Sequence, residues 1–261
     1  MALTCLLVLA ACGSPVAEPT PPSTSSSTRS APPVESSEST PAPLPPPTPK
    51  RVVVLDPGHN GGNAAAPEQI NRPVPAGRGR TKACNTTGTA TDDGYPEHAF
   101  TWDVALRTEE LLTEAGFEVV LTRPDDMGVG PCVDERAAIG NRNAAAAVVS
   151  IHADGNTASG ATGFHIAYSA PPLNPAQEDL TFPTAMRDAF SAAGFTPSSY
   201  IGDEGLSPRD DLGGLNLSEV PAVLVECGNM RDATEAAAFT SEPGRQSYAA
   251  AIAAGVIAYL N

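Results

Sequence analysis

From residue 51 onward, short runs of aliphatic residues alternate with longer stretches in which apolar residues recur every three or four positions. The run 51–56 (RVVVLD) is continuous and rich in β-branched residues, as in a strand covered on both faces. Residues 97–115 place Phe100, Val104, Leu111, Leu112 and Ala115 at helical spacing, and Gly116 follows as a stop. Further strands are predicted at 117–121, 147–151, 162–168 and 222–226, and further helices at 134–145, 177–193, 231–239 and 243–260. This alternation implies an α/β fold, a single layered domain with a largely parallel twisted sheet flanked by helices.

In such sheets ligands bind beyond the carboxyl ends of the strands. Three predicted strands run into polar residues there: the first delivers Asp56-Pro57-Gly58-His59, the third His152-Ala153-Asp154, and the last Glu226. Glu97 adds a fourth group, because its spacing from Phe100 and Val104 puts it on the apolar stripe of its helix. A carboxylate turned toward a core is costly without a partner. Two imidazoles and one carboxylate are a common ligand set for a catalytic zinc ion, so His59, Glu97 and His152 are the candidate ligands. The competing reading of each histidine alone is a hydrogen-bonded rim residue. His98 projects about 100° away from Glu97 around the helix, and His165 alternates against Phe164 and Ile166; both are poorer candidates. Glu226 ends the apolar run 221–225, surroundings that raise a carboxyl pKa toward the range useful for proton transfer. It is the candidate general base, with a salt-bridged structural glutamate as the alternative. Asp56 and Asp154 are candidates for orienting a ligand imidazole.

Composition separates the first fifty residues from the rest. In 13–50, 26 of 38 positions are Pro, Ser or Thr, too little apolar surface to offset the entropy of ordering, so a disordered tether is expected. Ahead of it lies MALTCLLVLAAC, an apolar run too short to cross a bilayer and placed where a secretory signal would sit. Its end, Leu9-Ala10-Ala11-Cys12 before Gly13, resembles the lipobox of bacterial lipoproteins. That implies a lipid on Cys12 and an extracytoplasmic place in the cell envelope, on the outer face of the cytoplasmic membrane. The expected division is 1–12, 13–50 and a folded domain at 51–261.

The net charge of −15 excludes nucleic acid as a partner and weighs against polybasic membrane attachment, so a membrane is met only through the lipid. Export would also decide the cysteines. Cys84 lies in a Gly- and Thr-rich loop and Cys132 follows Gly130-Pro131, two loop positions that can pair in an oxidising compartment; two free thiols are the alternative. Cys227 ends an apolar run and reads as a buried free thiol.

Five segments then carry a family resemblance: VVVLDPGHNGG at 52–62, Glu97 with DVALRTEELLTEAGF at 103–117, LTRPDD at 121–126, ERAAIGNRNAAAAVVSIHAD at 135–154 and PAVLVECGNMRD at 221–232. In this order and spacing the chain resembles the zinc-dependent N-acetylmuramoyl-L-alanine amidases of the Amidase_3 type over essentially all of 51–261. The resemblance implies Zn2+ on His59, Glu97 and His152, with Glu226 as the catalytic glutamate. It implies hydrolysis of the amide between the lactyl carbonyl of N-acetylmuramic acid and the L-alanine of the stem peptide, in peptidoglycan or muropeptides, by a protein expected to be monomeric. The segment 63–96 is longer than the connection typical of the family. Its Arg72, Arg78, Arg80 and Lys82 are read either as meeting stem-peptide carboxylates or as part of a solvated loop pinned by Cys84. Two other functions share the pattern: a non-catalytic relative that binds wall fragments, and a zinc peptidase that cuts within the stem peptide.

Overall fold

The computed structural model describes residues 51–261; the signal-like segment, Cys12 and the tether fall outside the described residues. In chain order the elements are β1 (Val52–Pro57), α1 (Pro67–Ile70), β2 (Pro73–Pro75), β3 (Thr81–Ala83), α2 (Glu97–Glu114), β4 (Glu118–Leu121), α3 (Val133–Arg142) and β5 (Ala147–Asp154). They continue with β6 (His165–Ser169), α4 (Thr181–Ala192), β7 (Leu206–Arg209), α5 (Gly213–Asn216), β8 (Ala222–Asn229), α6 (Ala233–Thr240) and α7 (Glu242–Leu260). A six-stranded sheet runs in the order β4-β1-β5-β8-β6-β7, and β2 and β3 form a separate antiparallel hairpin. The first four strands of the sheet are parallel neighbours; β6 joins antiparallel to β8, and β7 lies parallel to β6. The reversal at β6 follows from the helix-free link 155–164, since returning to a parallel neighbour takes a crossover of a dozen or more residues.

The alternation of side chains across each strand separates core from site. Val53, Leu55, Val149, Ile151, Ile166, Val223 and Val225 leave one face and pack with Phe100 and Val104 of α2, Phe182 and Met186 of α4, and Ile252 and Val256 of α7. The opposite face buries Val54 and Val148 in a smaller cluster with Ala145, against Ile139 of α3 and Val220. Farther along that second face the strands carry Asp56, Ser150, His152 and Glu226 instead of apolar residues. The register partners Asp56↔Ser150 and His152↔Glu226 place them side by side.

Several elements differ from expectation. α4 begins at Thr181, because Pro175–Gln177 forms a separate 3-10 turn capped by the Asn174 side chain. The hairpin, β7 and α5 are three or four residues long, too short for a periodic pattern. β5 and β8 run on to Asp154 and Asn229, so His152 and Glu226 lie inside paired strands, with a bulge between His152 and Asp154. α2 does stop at Gly116, which takes φ of 93°.

Cys84 and Cys132 are joined by a disulfide, and Cys227 is free and buried. The bridge ties the end of the hairpin to the start of α3. Cross-linking two positions 48 residues apart restricts the unfolded chain. The paired substitutions Cys84→Ser and Cys132→Ser are therefore expected to lower unfolding free energy by about 2 to 4 kcal/mol in urea titrations. Reduced wild-type protein should fall to the same value.

Candidate metal centre and active site

His59, Glu97 and His152 converge as the sequence predicts: each offers one donor atom, and these atoms lie within 4.8 Å of one another. Glu97 opens α2 and is 4% exposed. Its Oε2 lies 3.0 Å from His59 Nε2, and its Oε1 lies 2.9 Å from His152 Nδ1. Backbone N–H groups fix the carboxylate from behind, Thr89 donating to Oε2 (3.0 Å) and Ala153 to Oε1 (3.1 Å). Burial would raise the Glu97 carboxyl, but the charge of His59 and the hydrogen bonds from both imidazoles overcome it and hold the pKa far below the usual range. Burial likewise pushes His59 down, and Glu97 more than reverses this.

His59 sits on a sharp turn after β1, with φ of 61°. Its Nδ1 meets the Thr86 carbonyl and hydroxyl oxygens, each at 3.1 Å, which leaves Nε2 for the cluster. Gly58 is required beside it: a Cβ there would come within 2.3 Å of the His152 ring. Gly88, with φ of 78°, is required for a second reason, since its Cβ would approach Glu97 Oε2 to 2.8 Å.

The turn is gripped by Arg136 of α3, which is 5% exposed. Its Nη1 pairs with Asp56 Oδ1 (2.6 Å) and donates to the Pro57 carbonyl (2.8 Å), while Nη2 donates to the His59 carbonyl (2.7 Å). Asp56 also accepts from Thr122 and Ser150, both at 2.6 Å. Burial alone would raise its carboxyl; the Arg136 charge and these hydroxyls hold it below its ordinary value. The sequence makes Asp56 a candidate for orienting an imidazole, but its oxygens are occupied by these donors instead. Asp154 is likewise engaged elsewhere, accepting from the Tyr200 hydroxyl (3.0 Å) and from the backbone N–H of Gly155 (2.8 Å).

Glu226 lies next to His152 across the β5–β8 pair, half-buried, and its Oε2 is enclosed without a hydrogen-bond partner. Burial, reinforced by the charges of Glu97 and Asp154, raises its carboxyl well above the ordinary value, against the opposing pull of Arg209. Two concavities meet at these residues. One is a cavity of about 220 Å³ walled by Ser150, Leu224, Ala137, Leu215 and Lys82. The other is a wider groove of about 570 Å³ past Thr89, Gly155 and Arg231. His59, His152 and Glu226 line both.

The arginines of segment 63–96 are engaged within the protein. Arg72 donates to Cys132 Sγ (3.1 Å), and Arg78 to Asn216 (3.0 Å), Ser169 (3.1 Å) and the Pro171 carbonyl. Arg80 pairs with Asp210 at 2.7 Å. Arg78 and Arg80 hold the hairpin against α5 and the β6–β7 end of the sheet, and Arg72 reaches the start of α3. Lys82 faces the smaller cavity. Of the remaining histidines, His98 is half-buried and paired with Asp126 at 2.8 Å, and His165 is 2% exposed, on the sheet face that carries Glu226. Neither joins the donor cluster.

His59 on the turn after β1, His152 on β5 and Glu97 at the start of α2 thus stand together beside a carboxyl group with an unmet oxygen, an arrangement that suits a metal-assisted hydrolase. The chain belongs to the Amidase_3 family, N-acetylmuramoyl-L-alanine amidase, which it matches over residues 53–258. It is 49% identical over 211 residues to the N-acetylmuramoyl-L-alanine amidase Rv3717 of Mycobacterium tuberculosis, covering 80% of this chain and 86% of that one. The crystal structure of the amidase Ami1 from Mycobacterium smegmatis superposes with a TM-score of 0.77 at 52% identity, covering 80% of this chain and 96% of that chain. Apo Ami1 from Mycobacterium abscessus gives 0.78 at 53% identity, covering 81% and 99%.

Arg136→Met removes the partner of a buried carboxylate and frees the turn bearing His59. The expected result is a loss of about 3 to 5 kcal/mol in urea unfolding.

Proposed function

We propose that this protein hydrolyses the amide between the lactyl group of N-acetylmuramic acid and the L-alanine of the stem peptide. In this reading His59, Glu97 and His152 hold a zinc ion and Glu226 is the general base. One observation carries it: a carboxyl group with an unmet oxygen and a raised pKa stands directly across the strand pair from a histidine of the donor cluster. The donor set of two imidazoles and one carboxylate suits zinc with a position open to substrate. A bound zinc ion supplies Lewis-acid polarisation of the scissile carbonyl and a lowered pKa for water.

The protein's own groups do the rest. Thr86 sets the His59 tautomer, and the N–H groups of Thr89 and Ala153 keep Glu97 turned toward both rings. Glu226 accepts a proton from the attacking water and returns it to the departing alanine nitrogen. The two concavities meeting at the cluster suit a substrate with two arms, a glycan and a peptide. A binding-only relative would be expected to lack a ligand or the base, and all four are present here.

Digestion of purified peptidoglycan, with new ends identified by mass spectrometry, is expected to release peptides with free L-alanine amines and leave intact glycan. Cuts inside the peptide would establish the peptidase instead. Glu226→Gln should lower kcat by about 100- to 10,000-fold with unchanged zinc content, and chelation should abolish release until zinc is restored.

We further propose that the domain works outside the cytoplasm, held to the membrane by a lipid on Cys12. The lipobox-like LAAC and the Cys84–Cys132 disulfide support this. Cells fed a labelled fatty acid should label the wild-type protein and not Cys12→Ser; equal labelling would remove the anchor.

A further inference from the structure

Two buried side-chain atoms on neighbouring strands have no hydrogen-bond partner, Oε2 of Glu226 and Nδ1 of His165. Their residues are register partners across the antiparallel β6–β8 pair. Both side chains therefore leave the same face of the sheet, with Cβ atoms about 4.5 to 5.5 Å apart. An imidazole that is 2% exposed needs a partner for its buried nitrogen.

The polar and charged groups facing it are Asp154 on β5, Arg209 on β7, Tyr200 in the loop after α4, and Glu226. Three of these are already engaged. Asp154 and Tyr200 bond to each other at 3.0 Å, and Arg209 forms a two-pronged pair with Asp211 at 2.8 and 2.7 Å. Only Glu226 retains an enclosed, unmet oxygen. The imidazole itself is neutral at neutral pH, because burial pushes its pKa down to about 4. A neutral imidazole has one N–H to donate and brings no second positive charge to the cluster.

We infer that His165 is a positioning residue, which donates from Nδ1 to one oxygen of Glu226, directly or across one water, and so turns the other oxygen toward the reacting water. The inference rests on Glu226 being the general base. His165 touches neither metal nor substrate; it narrows the orientations open to the carboxyl group that does the chemistry.

The test compares two variants in zinc-loaded, full-length enzyme on a soluble muropeptide. His165→Leu keeps an apolar body in the packed site and removes the donor; His165→Asn keeps an N–H near the Nδ1 position. The Leu variant is expected to lose about 10- to 100-fold in kcat, with KM within about twofold and zinc content unchanged. The Asn variant should recover to within about threefold of wild type. Placed on Glu226→Gln, the Leu substitution should cost nothing further, because the two residues act as one unit. Crystal structures should show His165 Nδ1 bonded to Glu226, directly or through one water, and a reoriented carboxyl group in the Leu variant. Wild-type kcat in the Leu variant, equal loss in both variants, or a persisting loss on Glu226→Gln would overturn the inference. Should the Leu variant not fold, His165→Gln, which moves the donor away from the Nδ1 position, takes its place. Full activity of Glu226→Gln alone would instead remove the base assignment, so the two failures are distinguishable.

Discussion

The turn that carries His59 exists because two buried guanidinium groups hold its carbonyl oxygens. Arg136 donates to the carbonyls of Pro57 and His59, and Arg123, which is 1% exposed, donates from Nε to the same Pro57 oxygen at 3.0 Å. Thr101 of α2 takes the Gly58 carbonyl at 2.9 Å. A non-glycine residue at positive φ costs on the order of 1 to 3 kcal/mol and persists only when its surroundings over-determine it. Here they do, and the countercharges are close: Asp56 for Arg136 and Asp126 for Arg123. Helix α3, the loop after β4 and the first turn of α2 are thus all tied to one short stretch of backbone, and the donor cluster of His59, Glu97 and His152 inherits its geometry from that junction.

The same logic extends to Glu97. An ionised carboxylate this deeply buried is unfavourable unless every neighbour favours the charge. Two backbone N–H groups, two imidazoles and the N-terminal end of α2 all do so. The neighbouring Glu226 experiences the opposite field, because Glu97 and Asp154 repel its charge and apolar strands enclose it. The carboxyl groups of two neighbouring glutamates are therefore pushed in opposite directions, Glu97 down by its cationic and N–H partners and Glu226 up by burial and like charge. Such a separation of two titratable groups is what the proposed division into ligand and base draws on.

Much of this was legible in the sequence. The apolar runs marked the main strands, and Glu97 betrayed itself by standing on an apolar stripe. Strand ends far apart in sequence pointed to one rim. What was not legible depends on contacts with no local pattern. Arg123 and Arg136 stand inside LTRPDD and ERAAIGNRN, yet in a linear string they look like any solvated charge; their burial is set by carbonyls up to 79 residues away. Asp56 was placed correctly at the site but serves the arginine, not an imidazole. The short hairpin and the reversal of β6 carry no periodic signal, and that reversal is what brings His165 onto the working face. His165 stands outside the donor cluster, and its neighbourhood with Glu226 is visible only once the strand order is known.

The pairing of His152 with Glu226 across β5 and β8 has a consequence for how such a site can change. Backbone hydrogen bonds quantise the separation between the donor-cluster position His152 and the unpaired carboxyl position Glu226: strands sit about 4.8 Å apart, and a slip of one residue would send every side chain to the opposite face. The main chain departs from this spacing only through a bulge, as it does just after His152. At a fixed register the reach between these two positions changes through side-chain length and rotamer, so the paired strands act as a ruler with fixed marks.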